Sequence, residues 1–498
     1  MDFDILIAGG GASGLAAAIS AARFAKSVSP ARSLRIGLLE KKEIPGKKLS
    51  ATGNGRCNLS NAACSDRETV DRFFSSVGLV TRIDEAGRMY PYGEEAGEVS
   101  ALLTETALSY DVKIMTNCQV TQIRPVGEAR PPVSGAGESR PQTGAEGEPL
   151  PQSGQGGKTP AACVASGGFI VEINCSGSPD GREGGLSDAN GRLSGVKSCL
   201  SGAKIGSADQ IDGSRHLRCR ILLLSMGGKS YSVFGTSGDG YGLARRLGHS
   251  VTRLAPSLVP IQVSEDLKGL AGVRTKADVT LLHLGKPVAR ETGEVQFNKD
   301  CLSGICIMNL SRLLVLNPGK PFAEAFGEYG LQLDLLPEFS REEAAEILRQ
   351  KGGSLQTLVK KKLAAWIEAA PDPAVMADRL KSLTFSVCGT KGWNDAQVTR
   401  GGVTLEEVDQ DTMESKLVPG LYFAGEILNY DGPCGGFNLH FAWDSGIRAG
   451  KAMAAAALAA GAPGNGGPAA EGAAPGTASE IKEKQQDVSN SSNQAGSR

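Results

Sequence analysis

Residues 4–14 read Asp-Ile-Leu-Ile-Ala-Gly-Gly-Gly-Ala-Ser-Gly. A short apolar run enters a glycine-rich turn, and the alanine-rich stretch Leu-Ala-Ala-Ala-Ile-Ser-Ala-Ala-Arg-Phe-Ala follows. The first run predicts a buried parallel strand over 4–8, and the alanines predict a helix straight after the turn. Residues 35–40, Arg-Ile-Gly-Leu-Leu-Glu, read as a second strand. Strand, helix and strand make a βαβ unit, which predicts a parallel sheet with a right-handed crossover. Each glycine of the turn has its own task. Gly9 permits the tight turn out of the strand, Gly11 lets backbone approach a pyrophosphate, and Gly14 permits close helix–strand packing. Ala12 and Ser13 open the helix, whose free N–H groups and positive dipole end suit phosphates.

Glu40 closes the second strand, where a carboxylate can accept the ribose hydroxyls of an adenosine. A 2′-phosphate would be repelled there, so the loop and Glu40 together predict FAD or NAD and not NADP. A basic stretch follows at once. Lys41, Lys42, Lys47 and Lys48 lead into Gly53-Asn54-Gly55-Arg56-Cys57-Asn58. Positive charge placed near flavin N1 stabilises the anionic reduced ring, and a solvated basic loop is the plainer alternative. Near the other end, Tyr422-Phe423-Ala424-Gly425-Glu426 repeats the pattern of strand and glycine turn. Asp431-Gly432-Pro433-Cys434-Gly435-Gly436-Phe437-Asn438 then runs into a long helix. Such a helix could point its N-terminus at a flavin.

Working outward, the 498 residues fall into six stretches. Residues 1–125, 216–255 and 386–461 carry the nucleotide-binding signals and read as one discontinuous domain. Residues 126–215 hold the run Glu-Ala-Arg-Pro-Pro-Val-Ser-Gly-Ala-Gly at 128–137 and read as a low-complexity insertion, with one strand at Gly-Gly-Phe-Ile-Val-Glu-Ile-Asn-Cys and another, Cys-Gln-Val-Thr-Gln-Ile, just ahead of it. That composition buries too little apolar area to offset its ordering entropy. Residues 256–385 read as an inserted second domain, with a strand in Ala-Asp-Val-Thr-Leu-Leu-His-Leu and helices over 341–350 and 355–370. Residues 462–498 read as a disordered tail.

Composition removes several function classes. With 53 basic and 54 acidic residues and a net charge of −1, no basic stripe marks a nucleic-acid footprint. No run of about 18 apolar residues predicts a membrane span. The 11 cysteines include no C-x-x-C pair, and the four histidines stand at no ligand spacing, so no metal site is expected. Met1 leads directly into the first strand without a signal-peptide pattern, and free thiols in a reducing cytoplasm are the simplest expectation.

Three stretches resemble one flavoprotein family, the NAD(P)/FAD-dependent, aminoacetone oxidase-like oxidoreductases. They are Gly-Lys-Lys-Leu-Ser-Ala-Thr-Gly-Asn-Gly-Arg-Cys-Asn-Leu-Ser-Asn at 46–61, Gly227 to His249, and 418–446. The resemblance implies an α/β, Rossmann-type FAD-binding fold of the glutathione-reductase kind with an inserted second domain. It implies FAD contacts at Gly9, Gly11, Ser13, Gly14, Glu40, Lys41, Lys48, Asn54, Arg56, Met226, Gly227, Gly425, Glu426, Gly436 and Asn438, with Val120 holding adenine by its backbone. The family's Phe-Thr-x-x-Gly-x-Ser-Gly stands here as Phe297-Asn298-Lys299-Asp300-Cys301-Leu302-Ser303-Gly304, so the loop around Cys301 departs from the pattern.

One branch of that family reduces carbon–carbon double bonds of 3-oxo bile acid intermediates unsaturated at positions 4 and 6, and the chain is similar to it. The resemblance thus implies FAD-dependent reduction of an enone in a small apolar substrate, with NADH or NADPH as a transient electron donor. No second glycine fingerprint marks a separate nicotinamide domain, which leaves open an oxidase using O2 on a small amine or carbonyl compound. A non-catalytic FAD-binding sensor or RNA-associated scaffold is the reading from another class. Tyr231, Arg56 and Tyr430 are candidates to polarise a carbonyl or donate a proton, and each also reads as a structural or cofactor-facing residue. Cys57 and Cys434 read either as a thiol pair beside a flavin or as inert buried thiols.

Overall fold

The computed structural model describes residues 1–126, 167–175, 213–314, 321–350, 352, 354–355, 358–367 and 372–460. Met1–Ala460 form one compact unit. The low-complexity stretch at 128–160 and the tail from 462 lie outside the described residues.

The opening strand, Phe3–Ala8, is buried along nearly its whole length because parallel neighbours and helices cover it. It pairs in parallel with Ile36–Leu39 on one side and with residues 219–224 of Gly213–Leu224 on the other. Lys113–Met115 extends the first edge in parallel, and Leu421–Phe423 pairs in parallel with residues 222–224. The strand Gly213–Leu224 serves two layers. Its second half lies in this parallel sheet, while its first half pairs antiparallel with Phe169–Cys175, which pairs in turn with Cys118–Pro125. A parallel sheet thus continues into a three-stranded antiparallel meander through one shared strand. One strand of the meander, Cys118–Pro125, immediately precedes the expected insertion, a second, Phe169–Cys175, lies within it, and the shared strand already begins at Gly213.

The first helix, Ala12–Val28, packs its alanines against the closing helix, Phe437–Ala459. Gly446 and Gly450 of the closing helix make that approach possible. A methyl group on either would overlap the carbonyl oxygen of Ser13 or of Ala17.

The second domain is a closed antiparallel barrel. Its six strands are Ile261–Val263, Cys301–Ser303, Lys286–Phe297, Arg274–His283, Tyr329–Asp334 and Leu383–Thr390, in that order around the ring. Alternation turns Tyr329, Leu331 and Leu333 inward against Val279, Leu281, Phe297, Phe385 and Val387. The helix expected over 341–350 is present as Arg341–Gln350. The one expected over 355–370 shortens to Lys361–Trp366, since Leu355 and Leu358–Lys360 lie outside it and 368–370 lie outside the described residues. The departing loop at 297–304 is a tight barrel hairpin, with the Asn298 N–H donating to the Cys301 carbonyl at 2.9 Å. Ala255–Ser257 leads into the barrel and Val398–Arg400 leaves it, and the two segments pair antiparallel with each other. Among the described residues, no helix is long and apolar enough to cross a membrane.

Candidate cofactor site

The glycine turn lies at the mouth of a cleft of about 1270 Å³. Gly9, Glu40 and Ser225 line it, each just past the carboxyl end of a parallel strand, which is where open α/β sheets hold their ligands. Gly9 has φ +111°, and a methyl there would overlap the Ser225 carbonyl. Gly14 sits behind the lining, and a methyl would overlap the Gly9 carbonyl oxygen, so its role is packing. Gly11 differs from both. It lines the cleft, and a Cβ built on it meets nothing within 4 Å. That is an open cradle in which a phosphate can approach the backbone. Gly11 also caps the first helix without any side-chain bond, and no acidic residue stands in the first turn. The N–H groups of Ala12 and Ser13, both in the lining, precede the first intrahelical bond, which runs from Leu15 N–H to the Gly11 carbonyl at 2.9 Å. The geometry therefore fits a pyrophosphate.

Glu40 also lines the cleft. Its Oε2 accepts from the Gly10 N–H at 3.0 Å and its Oε1 from the Lys42 N–H at 2.8 Å. Each carboxylate oxygen has a second acceptor position, so both remain able to take a ribose hydroxyl. Burial pushes the Glu40 carboxyl up, against the pull of those backbone bonds and of Lys41. Val120 stands at this end, next to a bulge in the meander ladder between Val120 and Gln122.

Two of the basic residues carry acidic partners of their own. Lys41 donates to Ser237 Oγ at 2.6 Å and to Asp239 Oδ2 at 2.7 Å. Lys48 donates to Glu426 Oε2 at 2.6 Å and to Ser230 Oγ at 2.9 Å. Both lysines line the cleft, yet each already faces a carboxylate, because a half-buried ammonium needs one. Burial alone would push the Glu426 carboxyl up. The Lys48 ammonium, the Thr399 N–H and the Ser230 hydroxyl instead hold it below the usual carboxylate range.

Met226, Gly227 and Asn438 line the cleft as well. The Asn438 amide is occupied in clipping the preceding loop: its Oδ1 accepts from Gly432 N–H at 2.8 Å and its Nδ2 donates to the Gly432 carbonyl at 2.9 Å. Gly425 and Gly436 stand outside the lining as close-approach points, Gly425 against Ser13 and Gly436 against the Ser60 carbonyl. Asn54 and Arg56 are not brought to the cleft. Asn54 lies in a left-handed turn at φ 55°, and Arg56 stacks over Tyr90 at 5.0 Å and pairs with Glu94 at 3.8 Å. The buried Tyr90 ring and the part-exposed Glu94 carboxylate thus hold this arginine away from the cleft.

Of the three candidates for carbonyl or proton chemistry, only Tyr430 lines the cleft, stacked on Phe441 with ring centroids 4.1 Å apart. Burial pushes its phenol up, so it stays protonated at neutral pH. Tyr231 packs on Phe234 outside the lining. Cys57 and Cys434 are separate free thiols, and burial pushes each up to about 12. Neither has the thiolate character that redox partnership needs. Sequence reading missed Thr236, Ser237, Asp239, Gln397 and Val398, all in the lining. The signal for the first three lay in Gly-Thr-Ser-Gly-Asp at 235–239; the last two carried none.

A family model for the HI0933-like protein Rossmann domain matches residues 194–452, just over half of the chain. The chain belongs to this HI0933-like family. On this fold, family membership makes it an FAD-binding oxidoreductase. Among its relatives is the 3-dehydro-bile acid delta(4,6)-reductase of Clostridium scindens, 29% identical over 90% of this chain and 98% of that one. The ribosomal RNA dihydrouridine synthase of Haemophilus influenzae is 30% identical over 47% of this chain and 60% of its own. Among solved structures, the 3-ketosteroid-delta4-(5alpha)-dehydrogenase of Rhodococcus jostii RHA1 superposes with a TM-score of 0.41 at 14% identity, covering 91% of this chain and 96% of the other, too distant to bear on function.

Proposed function

We propose that this HI0933-like protein is an FAD-dependent reductase of a carbon–carbon double bond conjugated to a carbonyl. A small apolar enone, such as a 3-oxo-4,6-dienoyl bile acid intermediate, is its substrate, and NADH or NADPH supplies electrons. The observation that carries this reading is the course of the cleft. It runs from Val120 and Glu40, past the open cradle at Gly11, to Gln397, Val398 and Tyr430 where the barrel connections meet the sheet. An adenosine at the first end leaves the redox-active ring at the second, beside the barrel. The relatives' names support the reaction class. Both a delta(4,6)-reductase of a 3-dehydro steroid acid and a synthase of dihydrouridine saturate a double bond conjugated to a carbonyl.

Bound FAD supplies the two-electron hydride chemistry. The protein's own residues do the rest. The first turn of the first helix holds the diphosphate, Glu40 orients the ribose, and Phe441 and Val398 keep water from the ring. Tyr430 carries a proton on its hydroxyl and is the donor to the α-carbon, so Tyr430→Phe lowers kcat for enone reduction while leaving flavin content unchanged.

Anaerobic mixing tests the whole. NADH or NADPH bleaches the bound flavin, and a 3-oxo-4-ene steroid acid restores its colour with one equivalent of saturated product. Recovery by air alone, with no enone turnover, replaces the reductase by an oxidase.

A further inference from the structure

Gln397 lines the cleft at its barrel end, exposed, just ahead of the strand Val398–Arg400. Its backbone is fixed. The N–H donates to the Leu258 carbonyl at 3.2 Å, and the carbonyl accepts from the Ser230 hydroxyl at 3.2 Å. Its side-chain amide is held far more loosely. Among the described residues that amide meets sulfur alone: Nε2 donates to Met308 Sδ at 3.8 Å, and Oε1 accepts from the Cys434 thiol at 3.8 Å. A thioether is a weak acceptor and a thiol a weak donor. Burial pushes that thiol up to about 12, so it keeps its proton at neutral pH and holds Oε1 on its own side. Nε2 is left with two N–H donors and no acceptor stronger than sulfur.

The other polar groups of the lining are committed. Lys41 and Lys48 face carboxylates, and Asn438 clips its own loop. Thr52 donates to the Leu49 carbonyl at 2.7 Å, and Thr236 to the Tyr231 carbonyl at 3.1 Å. Each remaining oxygen- or nitrogen-bearing side chain there also has an oxygen or nitrogen partner, except Tyr430, whose hydroxyl meets none among the described residues. Two uncommitted groups, a phenol and an amide, thus stand where the barrel connections meet the sheet.

Reduction of an enone needs two such groups. Hydride adding to the β-carbon breaks the C=C π bond and drives its electron pair toward the carbonyl oxygen, which becomes negative. A donor already aimed at that oxygen stabilises the charge as it develops. We propose that Gln397 is the catalytic donor to the carbonyl oxygen of the substrate, its Nε2 exchanging Met308 for that oxygen. The carbonyl re-forms as the α-carbon takes the Tyr430 proton, and solvent returns a proton to Tyr430. One C–H bond forms at each carbon, and the two electrons are those of the hydride that NADH or NADPH supplies by way of the flavin. The enone itself rests on the reductase reading; donation by Gln397 to a negative oxygen does not.

The flavin-loaded full chain is titrated with 4-chlorophenol. Its ionised oxygen stands in for the enolate, and its ring gives a long-wavelength charge-transfer band when stacked on oxidised flavin. Gln397→Met keeps the length of the side chain and removes the amide, so the phenol binds roughly tenfold or more weakly, the loss of one hydrogen bond to a charged oxygen. Gln397→Glu sets a like charge there and weakens it further. Both variants keep the flavin content and melting temperature of wild type. In anaerobic mixing, NADH or NADPH bleaches the flavin of Gln397→Met at the wild-type rate, while a 3-oxo-4-ene steroid acid restores its colour at least tenfold more slowly. Phenol affinity equal to wild type in Gln397→Met, wild-type recovery by an enone that the protein does reduce, or no phenol band in wild type at millimolar concentration overturns the proposal. Loss of bound flavin from Gln397→Met also overturns it and makes Gln397 a cofactor contact. Weakened phenol binding in the variants, with no enone reduced even by wild type, sinks the reductase reading and leaves Gln397 as donor to the oxygen of another carbonyl substrate.

Discussion

Two glycines three residues apart separate cofactor binding from folding. Gly11→Ala places a methyl in open cleft space, so the apo-protein keeps its melting temperature while FAD affinity falls at least tenfold. Gly14→Ala drives a methyl into the Gly9 carbonyl, and overpacking of this kind costs about 1–3 kcal/mol of stability. Denaturant melts of apo-protein beside FAD titrations of both variants check the pair. Equal stability loss in the two would mean that Gly11 does not face a ligand. Glu426 makes a pH-dependent case. Its folded carboxyl lies below the ordinary value of 4.5, so its contribution to stability is full above that pH and disappears as pH falls through the lowered value. Wild type therefore melts above Glu426→Gln at pH 7, and the gap narrows as pH falls below 4.5 and the carboxylate takes up its proton. A gap of constant size across that range would remove the Lys48 pairing as its cause. At this scale the sequence was legible where a residue's task depends on its neighbours in the chain, as for Gly9, Gly11 and Glu40. It was not legible where the partner is remote. Lys41 meets Asp239 and Lys48 meets Glu426 across 198 and 378 positions, so the sequence showed the charges and hid their acidic partners.

Among the elements, the contact between the first and closing helices holds the cradle in place. The first helix starts at the open cradle beside Gly11, and the closing helix borders the same cleft with Asn438, Phe441 and Ala442. Gly446 and Gly450 set their spacing through the Ser13 and Ala17 carbonyls. Gly446→Ala should cost about 1–3 kcal/mol and also weaken FAD binding, because the displaced carbonyl belongs to a cleft residue. Gly450→Ala, one turn further away, should cost similar stability with less effect on FAD. Chemical denaturation and flavin titration of both variants check this, and equal flavin losses would uncouple the helix contact from the site. Both helices were readable from their alanine content and their glycine-marked starts. The barrel was not. Ile261–Val263 and Cys301–Ser303 are three residues each, too short to show alternation, and ring closure depends on pairings that no local pattern encodes.

For the molecule as a whole, the meander shows where the chain tolerates change. Val126 N–H donates to the Gly168 carbonyl at 2.7 Å and Gly167 N–H to the Val126 carbonyl at 3.0 Å, so the residues that flank the stretch 127–166 are bonded to each other. Replacing that stretch by a short Gly-Asn turn should leave the melting temperature and FAD content as they are, read by calorimetry and by flavin absorbance. Colourless or aggregated product would assign the stretch a structural part. The sequence had already marked it by composition, although the strands on either side prove to belong to the main sheet. The two barrel connections, Ala255–Ser257 and Val398–Arg400, have a different import. Because the chain enters and leaves the barrel side by side, that part of the protein can be exchanged as a cassette. A chimaera joined at these two seams would inherit its nucleotide cradle from one parent and its appetite from the other, and lineages in this family could have traded substrates by recombination without rebuilding the flavin site.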